Sequence, residues 1–311
     1  MKSAFVAIIG RPSVGKSTLL NKMCGEKVAI VSKVPQTTRN AIRGIVNRSE
    51  GQLVFIDTPG RHASQKKMNK KLMEVSERAL QESDLVLYIL DAARAPGAEE
   101  NEIAALLSPL AEKTIIAVNK MDIPGADFES AQKFIQNSFN FVSCKESGAA
   151  EESGEKHIFA ISADTGEGVE ELISALFTLA PEGQLFYDDE YYTDQDVEFR
   201  IAEIIREQAI NRLRQELPHS LYVDIADIEY KEGDSKEAAS KLWVRAFIIV
   251  ERESQKGMVV GKGGEMIKAI RLASLKNLKK IFDWKIDLDL RVKTGKDWRH
   301  NDHTLKKIID I

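Results

Sequence analysis

The sequence lacks any long hydrophobic run and is poor in cysteine. No apolar stretch approaches the ~20 residues that a membrane-spanning helix needs. The two cysteines, Cys24 and Cys144, lie far apart, which gives neither a disulfide framework nor zinc-ligand spacing and fits a reducing compartment. An apolar run begins within a few residues of Met1, leaving no room for a signal peptide. We therefore expect a cytoplasmic protein.

The chain also lacks a strong net charge, but its basic residues are concentrated in one segment. The formal net charge of the 311 residues is −4. Between Lys256 and Lys285, however, 8 basic residues stand against 2 acidic ones. A contact with nucleic acid is therefore to be sought in this segment.

The first motif that carries chemistry is a glycine-rich loop between an apolar run, residues 4–9, and a helical stretch. In this context backbone N–H groups cradle phosphates, Lys16 can reach the β- and γ-phosphates, and the Ser17 hydroxyl can ligate Mg²⁺. The sequence thus predicts a site for a nucleoside triphosphate and Mg²⁺. The predicted nucleotide contacts are Gly10, Arg11, Pro12, Ser13, Val14, Gly15, Lys16, Ser17 and Thr18.

A second motif stands after the apolar run 53–56 and consists of Asp57, Thr58, Pro59 and Gly60. A carboxylate at the carboxyl end of a central strand faces the ligand site in folds of this type. We expect Asp57 to hold Mg²⁺ through water. Gly60 can offer its N–H to the γ-phosphate, because it has no side chain in the way.

A third motif restricts the base to guanine, and it reads Asn119, Lys120, Met121, Asp122. The Asp122 carboxylate can accept hydrogen bonds from N1–H and the 2-amino group of guanine, and adenine has no donors there. The stem of Lys120 can lie flat on the base, and Asn119 can join neighbouring loops. Ser162 and Ala163 follow the run 157–161, and the N–H of Ala163 can meet guanine O6.

The polar loop Pro35–Arg39 carries the expected switch threonine. One threonine should move onto Mg²⁺ when the γ-phosphate is present and thereby order the loop. Thr38 is favoured, Thr37 stays open, and so does the alternative that both hydroxyls are only solvated. We expect Ser17, Thr38 and Asp57 to hold the Mg²⁺ ion. Lys16, Thr38 and Gly60 would then act in catalysis by positioning and charge stabilisation, without a side-chain base.

The pattern of short apolar runs and helical stretches predicts an α/β fold in two domains. Residues 1–180 would form a P-loop GTPase domain with a mostly parallel, doubly wound sheet. The acidic residues 181–196 would form a linker, and residues 197–311 a smaller α+β domain. Within them we expect helices over 197–217 and 296–310. Residues 146–156 are small and polar and are expected to be a flexible insertion.

The second domain carries a G-x-x-G loop within an expected element order of αββ-GxxG-ααβα, which matches a type II KH domain. Such a loop clamps a single-stranded backbone, since glycine lets phosphates approach the chain and Lys262 supplies charge. The sequence thus predicts RNA binding. The predicted RNA contacts are Lys256, Val260, Gly261, Lys262, Gly263, Gly264, Lys268 and Arg271.

The motifs GRPxVGKS, PQTTR, DTPG, NKMD and GKGG, in this order, resemble the Era family of bacterial ribosome-associated GTPases over nearly the whole chain. The resemblance implies slow GTP hydrolysis and binding near the 3′ end of small-subunit ribosomal RNA. It also implies a role in maturation of the 30S subunit and a loose, peripheral association with the inner membrane. We expect a monomer.

Two positions depart from this family, and two other functions remain open. Ser13 stands where the family usually has an asparagine that helps to bind potassium, so a potassium requirement is left open. Arg61 replaces an apolar residue and cannot act as a base. The alternatives are a nucleotide-gated RNA-binding protein with incidental hydrolysis, and a membrane-associated signalling GTPase whose basic C-terminal face binds anionic lipid.

Overall fold

The computed structural model describes residues 1–32, 34, 37–60, 67–139, 158–214, 216–231 and 241–309. The chain forms two compact units. The first comprises Met1–Ala29, Thr38–Asp194 and Ile309, and the second comprises Ile30–Thr37 and Gln195–Ile308. Cys144, Arg61 and the expected insertion at 146–156 lie outside the described residues.

The first unit is built on a sheet that has six strands among the described residues, in the order β2-β3-β1-β4-β5-β6. Among these described strands only the β2–β3 pair is antiparallel, so the expected mostly parallel sheet is confirmed. The strands are β1 (Lys2–Ile9), β2 (Ile42–Arg48), β3 (Gly51–Asp57), β4 (Leu85–Asp91), β5 (Thr114–Asn119) and β6 (Ile158–Ala160).

The central strands read as continuous apolar runs because both of their faces are covered. Every residue of β3, β4 and β5 is buried, as expected for a parallel sheet between layers of helices. The helices are α1 (Lys16–Cys24), α2 (Lys67–Glu82), α3 (Ala98–Leu107), α4 (Phe128–Ser138) and α5 (Val169–Leu179). The parallel strands end at Ile9, Asp57, Asp91 and Asn119, which brings the loops that follow them to one edge of the sheet.

The acidic segment that we expected to be a linker packs against the first unit as far as Asp194. The buried Gln52 side chain accepts hydrogen bonds from the N–H groups of Phe186 (2.9 Å) and Tyr187 (3.0 Å), and it donates to the Tyr187 carbonyl (2.9 Å). The N–H of Ile45 on β2 donates to the Tyr192 carbonyl at 2.9 Å. The segment thereby covers the backbone of an edge strand that would otherwise be left unpaired.

The second unit forms around its own core and departs from the expected order at the G-x-x-G loop. The sequence predicted two helices after this loop, whereas one helix, Glu253–Val260, precedes it and one, Glu265–Leu278, follows it. The elements of the unit are α6 (Val197–Ile210), β7 (Leu221–Lys231), β8 (Lys241–Val250), α7 (Glu253–Val260), α8 (Glu265–Leu278), β9 (Lys285–Thr294) and α9 (Asp302–Ile308). β8 is antiparallel to β7 and parallel to β9. Alternate residues of β8 and β9 belong to the same hydrophobic core as Ile201, Ile204 and Ile205 of α6.

Two helix boundaries of the second unit differ from the prediction. Helix α6 ends at Ile210 rather than at residue 217, and a short 3-10 turn at Leu217–His219 leads into β7. Pro218 has no N–H group, so it could not donate the backbone hydrogen bond that an α-helix continuing through this region would need. The final helix starts at Asp302 because Asp297 has a positive φ of 52° and Trp298 turns into the interior, where it is 2% exposed. None of the described helices combines the length and apolarity needed to cross a bilayer.

We predict that Gln52→Leu loosens the segment 185–194. The N–H groups of Phe186 and Tyr187 would lose their acceptor, at a cost of about 1–3 kcal/mol. Chymotrypsin should then cut this aromatic-rich segment faster under native conditions, as followed by mass spectrometry. Gln81→Leu, at an exposed position of α2, is the matched control. Cleavage at the wild-type rate in Gln52→Leu would contradict this account of the segment.

Candidate functional site

The glycine-rich loop joins β1 to α1 and holds a buried lysine. Lys16 is 6% exposed, and its ammonium donates to the carbonyls of Gly10 (3.0 Å) and Arg11 (3.1 Å). Burial lowers the pKa of Lys16, while the negative charge of Asp57 opposes this shift. A charged phosphate oxygen would form a stronger hydrogen bond with this ammonium than either neutral carbonyl does. The loop is thus arranged to receive phosphates.

Close backbone approaches explain two glycines of the site. A Cβ atom on Gly15, where φ is +106°, would lie 2.4 Å from Nδ2 of Asn119. A Cβ on Gly60 would lie 2.9 Å from Cα of Pro12. The loop after β3 therefore lies directly against the phosphate loop, as the expected contact of Gly60 with the γ-phosphate requires.

Three oxygen-bearing side chains meet beside Lys16. The Ser17 hydroxyl donates to Asp57 Oδ2 at 2.5 Å and lies 3.1 Å from the Thr38 hydroxyl, which is 3.4 Å from the same carboxylate oxygen. The other oxygen of Asp57, Oδ1, is buried and has no hydrogen-bond partner among the residues that the structure describes. Burial raises the pKa of this carboxyl. A hard divalent cation would satisfy it. The residues therefore fit Mg²⁺, whose remaining ligands would be phosphate and water.

The geometry separates the two candidate threonines. The Thr37 hydroxyl donates to the Val34 carbonyl at 2.7 Å, and within the second unit the Thr37 carbonyl accepts a hydrogen bond from Arg206 at 2.6 Å. The hydroxyl of Thr38, in contrast, belongs to the oxygen cluster with Ser17. This arrangement favours Thr38 as the metal ligand.

The guanine motif is joined to its neighbours by side-chain hydrogen bonds. Asn119 donates from Nδ2 to the Val14 carbonyl and accepts at Oδ1 from the N–H of Ala163, both at 2.8 Å. The Ser162 hydroxyl donates to Asp122 Oδ1 at 2.7 Å. Ser162 therefore orients the carboxylate that would read the base. The structure thus brings these residues to the same edge of the sheet as the phosphate loop.

Two carboxylates of the site were missed by the sequence analysis. Asp91 Oδ2 lies 2.6 Å from Arg11 Nη2 and 2.7 Å from Lys120 Nζ, while Glu100 Oε1 lies 2.8 Å from Arg11 Nε. The Arg11 side chain is therefore paired with carboxylates, which leaves its main chain for a nucleotide. Asp91 ends β4 as Asp57 ends β3, so the rule that identified Asp57 could have identified it too.

The G-x-x-G loop connects α7 to α8 and has an open face. Gly261, Gly263 and Gly264 have positive φ values of 75°, 59° and 82°. A Cβ on Gly261 would lie 2.7 Å from Cβ of Met266, whereas at Gly263 and Gly264 it would meet no atom of the described residues within 4 Å. A ligand can therefore approach the backbone closely at the last two glycines.

The remaining predicted RNA contacts differ in their surroundings. Lys262 and Lys268 are exposed, and Val260 is half-buried. Lys256 is paired with Glu253 at 3.0 Å and Arg271 with Asp287 at 3.3 Å, and Arg271 also donates to the Leu288 carbonyl. Surface pairs of this kind are easily exchanged for a phosphate.

Two exposed apolar side chains flank the same loop and were not predicted. Met258 on α7 is 57% exposed, and Leu272 on α8 is 53% exposed. Their exposure depends on which face of each helix the core covers, and the loop motif does not report that.

These features define a P-loop GTPase domain followed by a KH domain. A family model described as 50S ribosome-binding GTPase matches residues 5–120, and a KH-domain model matches residues 216–299. The expected combination of a nucleotide site and an RNA-binding fold is thus confirmed.

Relatives are similar along the whole chain. GTPase Era of Treponema denticola is 50% identical over 309 residues, with 99% of each chain covered, and GTPase Era of Borreliella burgdorferi is 44% identical over 310 residues, with both chains covered completely. The chain belongs to the Era family of GTPases, so it binds guanine nucleotides and hydrolyses GTP.

Solved structures of this family have the same fold. An Aquifex aeolicus Era variant bound to GDP and AlF4⁻ superposes with a TM-score of 0.87 at 30% identity and covers 99% of both chains. An Era complex with MgGDPNP and nucleotides 1506–1542 of 16S ribosomal RNA also gives a TM-score of 0.87, at 29% identity, and covers 99% of this chain and 98% of the other.

We predict that Asp122→Asn changes the base preference from guanine towards xanthine. The amide would place a donor against the donors of guanine, whereas xanthine offers an acceptor at its 2-position. GDP affinity should fall by at least about tenfold, the size of one lost charged hydrogen bond, and xanthosine diphosphate should compete better against fluorescent GDP. Asp127→Asn, which keeps an N-cap at α4, is the control. An unchanged preference would rule out this role of Asp122.

Proposed function

We propose that this protein is a GTP-dependent assembly factor that binds the 3′ end of small-subunit ribosomal RNA through its KH domain and acts in 30S maturation. The observation that carries the proposal is the G-x-x-G loop, whose last two glycines are open to a phosphate backbone. The Era structure with a 16S ribosomal RNA fragment, which covers nearly the whole of this chain, supports the choice of RNA.

In the proposed hydrolysis, the protein positions the phosphates and stabilises their charge. Lys16 would hold the β- and γ-phosphates, and the N–H of Gly60 would meet the γ-phosphate. Ser17 and Thr38 would ligate Mg²⁺ with Asp57 behind them, and the bound metal would neutralise developing negative charge. Without an activator we expect turnover of roughly 10⁻⁴–10⁻² s⁻¹.

The role of potassium depends on Ser13. Ser13 is exposed and has a positive φ of 63°, a conformation that asparagine adopts more easily than serine. The serine thus occupies a backbone geometry suited to the family's usual asparagine, and its shorter side chain leaves potassium stimulation open. Comparison of hydrolysis rates in potassium and sodium salts decides this point.

We further propose that the nucleotide state controls RNA binding. GTP would order the Thr38 loop and raise the affinity of the KH domain for RNA, and hydrolysis would release it. A ligand can shift such an equilibrium only by binding the two states differently. The coupling therefore requires different RNA affinities in the GTP and GDP states.

Cytoplasmic location and a monomeric state complete the proposal. A loose association with the inner membrane, which the family resemblance implies, would depend on the basic segment 256–285 and on anionic lipid. Flotation with vesicles that contain anionic lipid tests this separately from RNA binding.

We predict that Thr38→Ala weakens binding of a non-hydrolysable GTP analogue in Mg²⁺ by about tenfold or more, as expected for a lost metal ligand. Binding of GDP should change less, because the switch threonine serves the metal only with the γ-phosphate. Thr37→Ala is the matched control, since its hydroxyl contacts only the Val34 carbonyl among the described residues. Fluorescent nucleotides in Mg²⁺ and in EDTA provide the measurement. An equal loss in both variants would exclude a specific role for Thr38.

We predict that Gly263→Asp strongly weakens RNA binding while leaving the fold intact. A side chain fits here because a Cβ atom meets no part of the described chain within 4 Å, and aspartate tolerates the φ of 59°. The carboxylate would repel phosphates, so affinity for a labelled 16S 3′-end oligonucleotide should fall at least tenfold at one fixed salt concentration.

Gly263→Asn controls for side-chain volume at the same position and should lose much less affinity. Wild-type affinity in Gly263→Asp would disprove the assignment of the loop as the RNA clamp. Failure of the wild-type protein to bind the oligonucleotide would contradict the proposed function itself.

A further inference from the structure

A buried network of four charges connects the phosphate loop to the guanine motif. The side chains of Arg11, Asp91 and Glu100 are only 8%, 5% and 5% exposed, and Lys120 is 27% exposed. Asp91 is at the centre, because its Oδ2 contacts both cations and its Oδ1 accepts the N–H of Ala93 at 3.0 Å. Glu100 contacts only Arg11 among these cations, and its second oxygen accepts the N–H of Gly97 at 2.8 Å.

Stability alone is a weak explanation for such a network. Buried ion pairs often contribute no more than apolar side chains of the same volume would. Here the charges join three loops that must keep their relative positions to enclose one nucleotide: the phosphate loop, the end of β4 and the guanine motif. This placement indicates a function at the site.

The backbone of Lys120 strengthens that indication. Its φ of 71° lies in the left-handed region, which is unfavourable for a residue with a side chain. At the other end of the side chain, the ammonium is fixed on Asp91 at 2.7 Å. The stem between these two ends therefore has little rotational freedom left before any nucleotide binds.

We propose that Asp91 is a positioning residue for guanine binding. By holding the ammonium of Lys120, it fixes the stem of that lysine as a wall of the base site. By pairing with Arg11 through the same oxygen, it keeps the phosphate loop and the guanine motif in one arrangement. Because this stem is ordered before the nucleotide binds, binding costs less conformational entropy. We expect the gain in affinity mainly as slower nucleotide dissociation.

The proposal predicts the same loss for GDP and for a GTP analogue, because both carry the same base. The preference for guanine over xanthine should be retained, since Ser162 orients Asp122 independently of Asp91. The proposed role of Asp91 does not involve RNA. A negative result for Asp91 would therefore leave the proposed RNA function untouched.

The test is a double-mutant cycle on the full chain, read as dissociation of fluorescent GDP in stopped flow. Asp91→Asn and Lys120→Met each remove one side of the contact, and methionine keeps an apolar stem. Each variant should accelerate dissociation about tenfold, as for loss of one charged contact. The double variant should dissociate no faster than the faster single variant.

Glu100→Gln is the matched control, because it removes a carboxylate from the same network without touching Lys120. When Glu100→Gln is combined with Lys120→Met, the two accelerations of GDP dissociation should multiply, as expected for independent contacts. Should Asp91→Asn fail to fold, Lys120→Met still tests the proposal, since Asp91 keeps Arg11 as its partner. Multiplying effects of Asp91→Asn and Lys120→Met, or a wild-type rate in Lys120→Met, would overturn the proposal.

Discussion

The nucleotide site depends on one buried amide, the side chain of Asn119. It bonds the carbonyl of Val14 and the N–H of Ala163, so a single side chain ties together loops that follow three different strands. Asn119 is 2% exposed, and each partner left unpaired in such a place would cost about 1–3 kcal/mol. Its amide also occupies the space that a side chain at Gly15 would need. The contacts that would select guanine and hold the phosphates are arranged around this junction.

The two units use glycine for the same physical reason but in opposite surroundings. In the first unit, Gly15 and Gly60 let protein loops pack directly on one another, which closes a site for one small ligand. In the second unit, Gly263 and Gly264 face open space, which suits the extended backbone of a polymer. Burial separates the sites further, because Lys16 is buried and Lys262 is exposed.

Local pattern was enough to predict the strands, but it placed two helices of the second unit after the G-x-x-G loop, whereas α7 precedes that loop. It also selected candidate residues for the nucleotide site. It did not predict the partners of those residues. Arg11 and Asp91 are 80 positions apart, and nothing in either local sequence reports their pairing. The packing of residues 185–194 was missed for the same reason, since its main anchor, Gln52, is a polar residue buried inside a strand. The end of α6 at Ile210 and the start of α9 at Asp302 depend on the burial of Leu217 and Trp298 in the core. Periodicity alone does not locate that burial.

The central claim is that one chain couples a guanine-nucleotide switch to an RNA clamp. The most direct test is fluorescence anisotropy of a labelled oligonucleotide from the 3′ end of small-subunit ribosomal RNA. It would be titrated with the full chain at one salt concentration, first with GDP and then with a non-hydrolysable GTP analogue. The account predicts clearly tighter binding with the analogue. Equal affinity in the two nucleotide states would contradict it, because a switch without differential affinity transmits nothing.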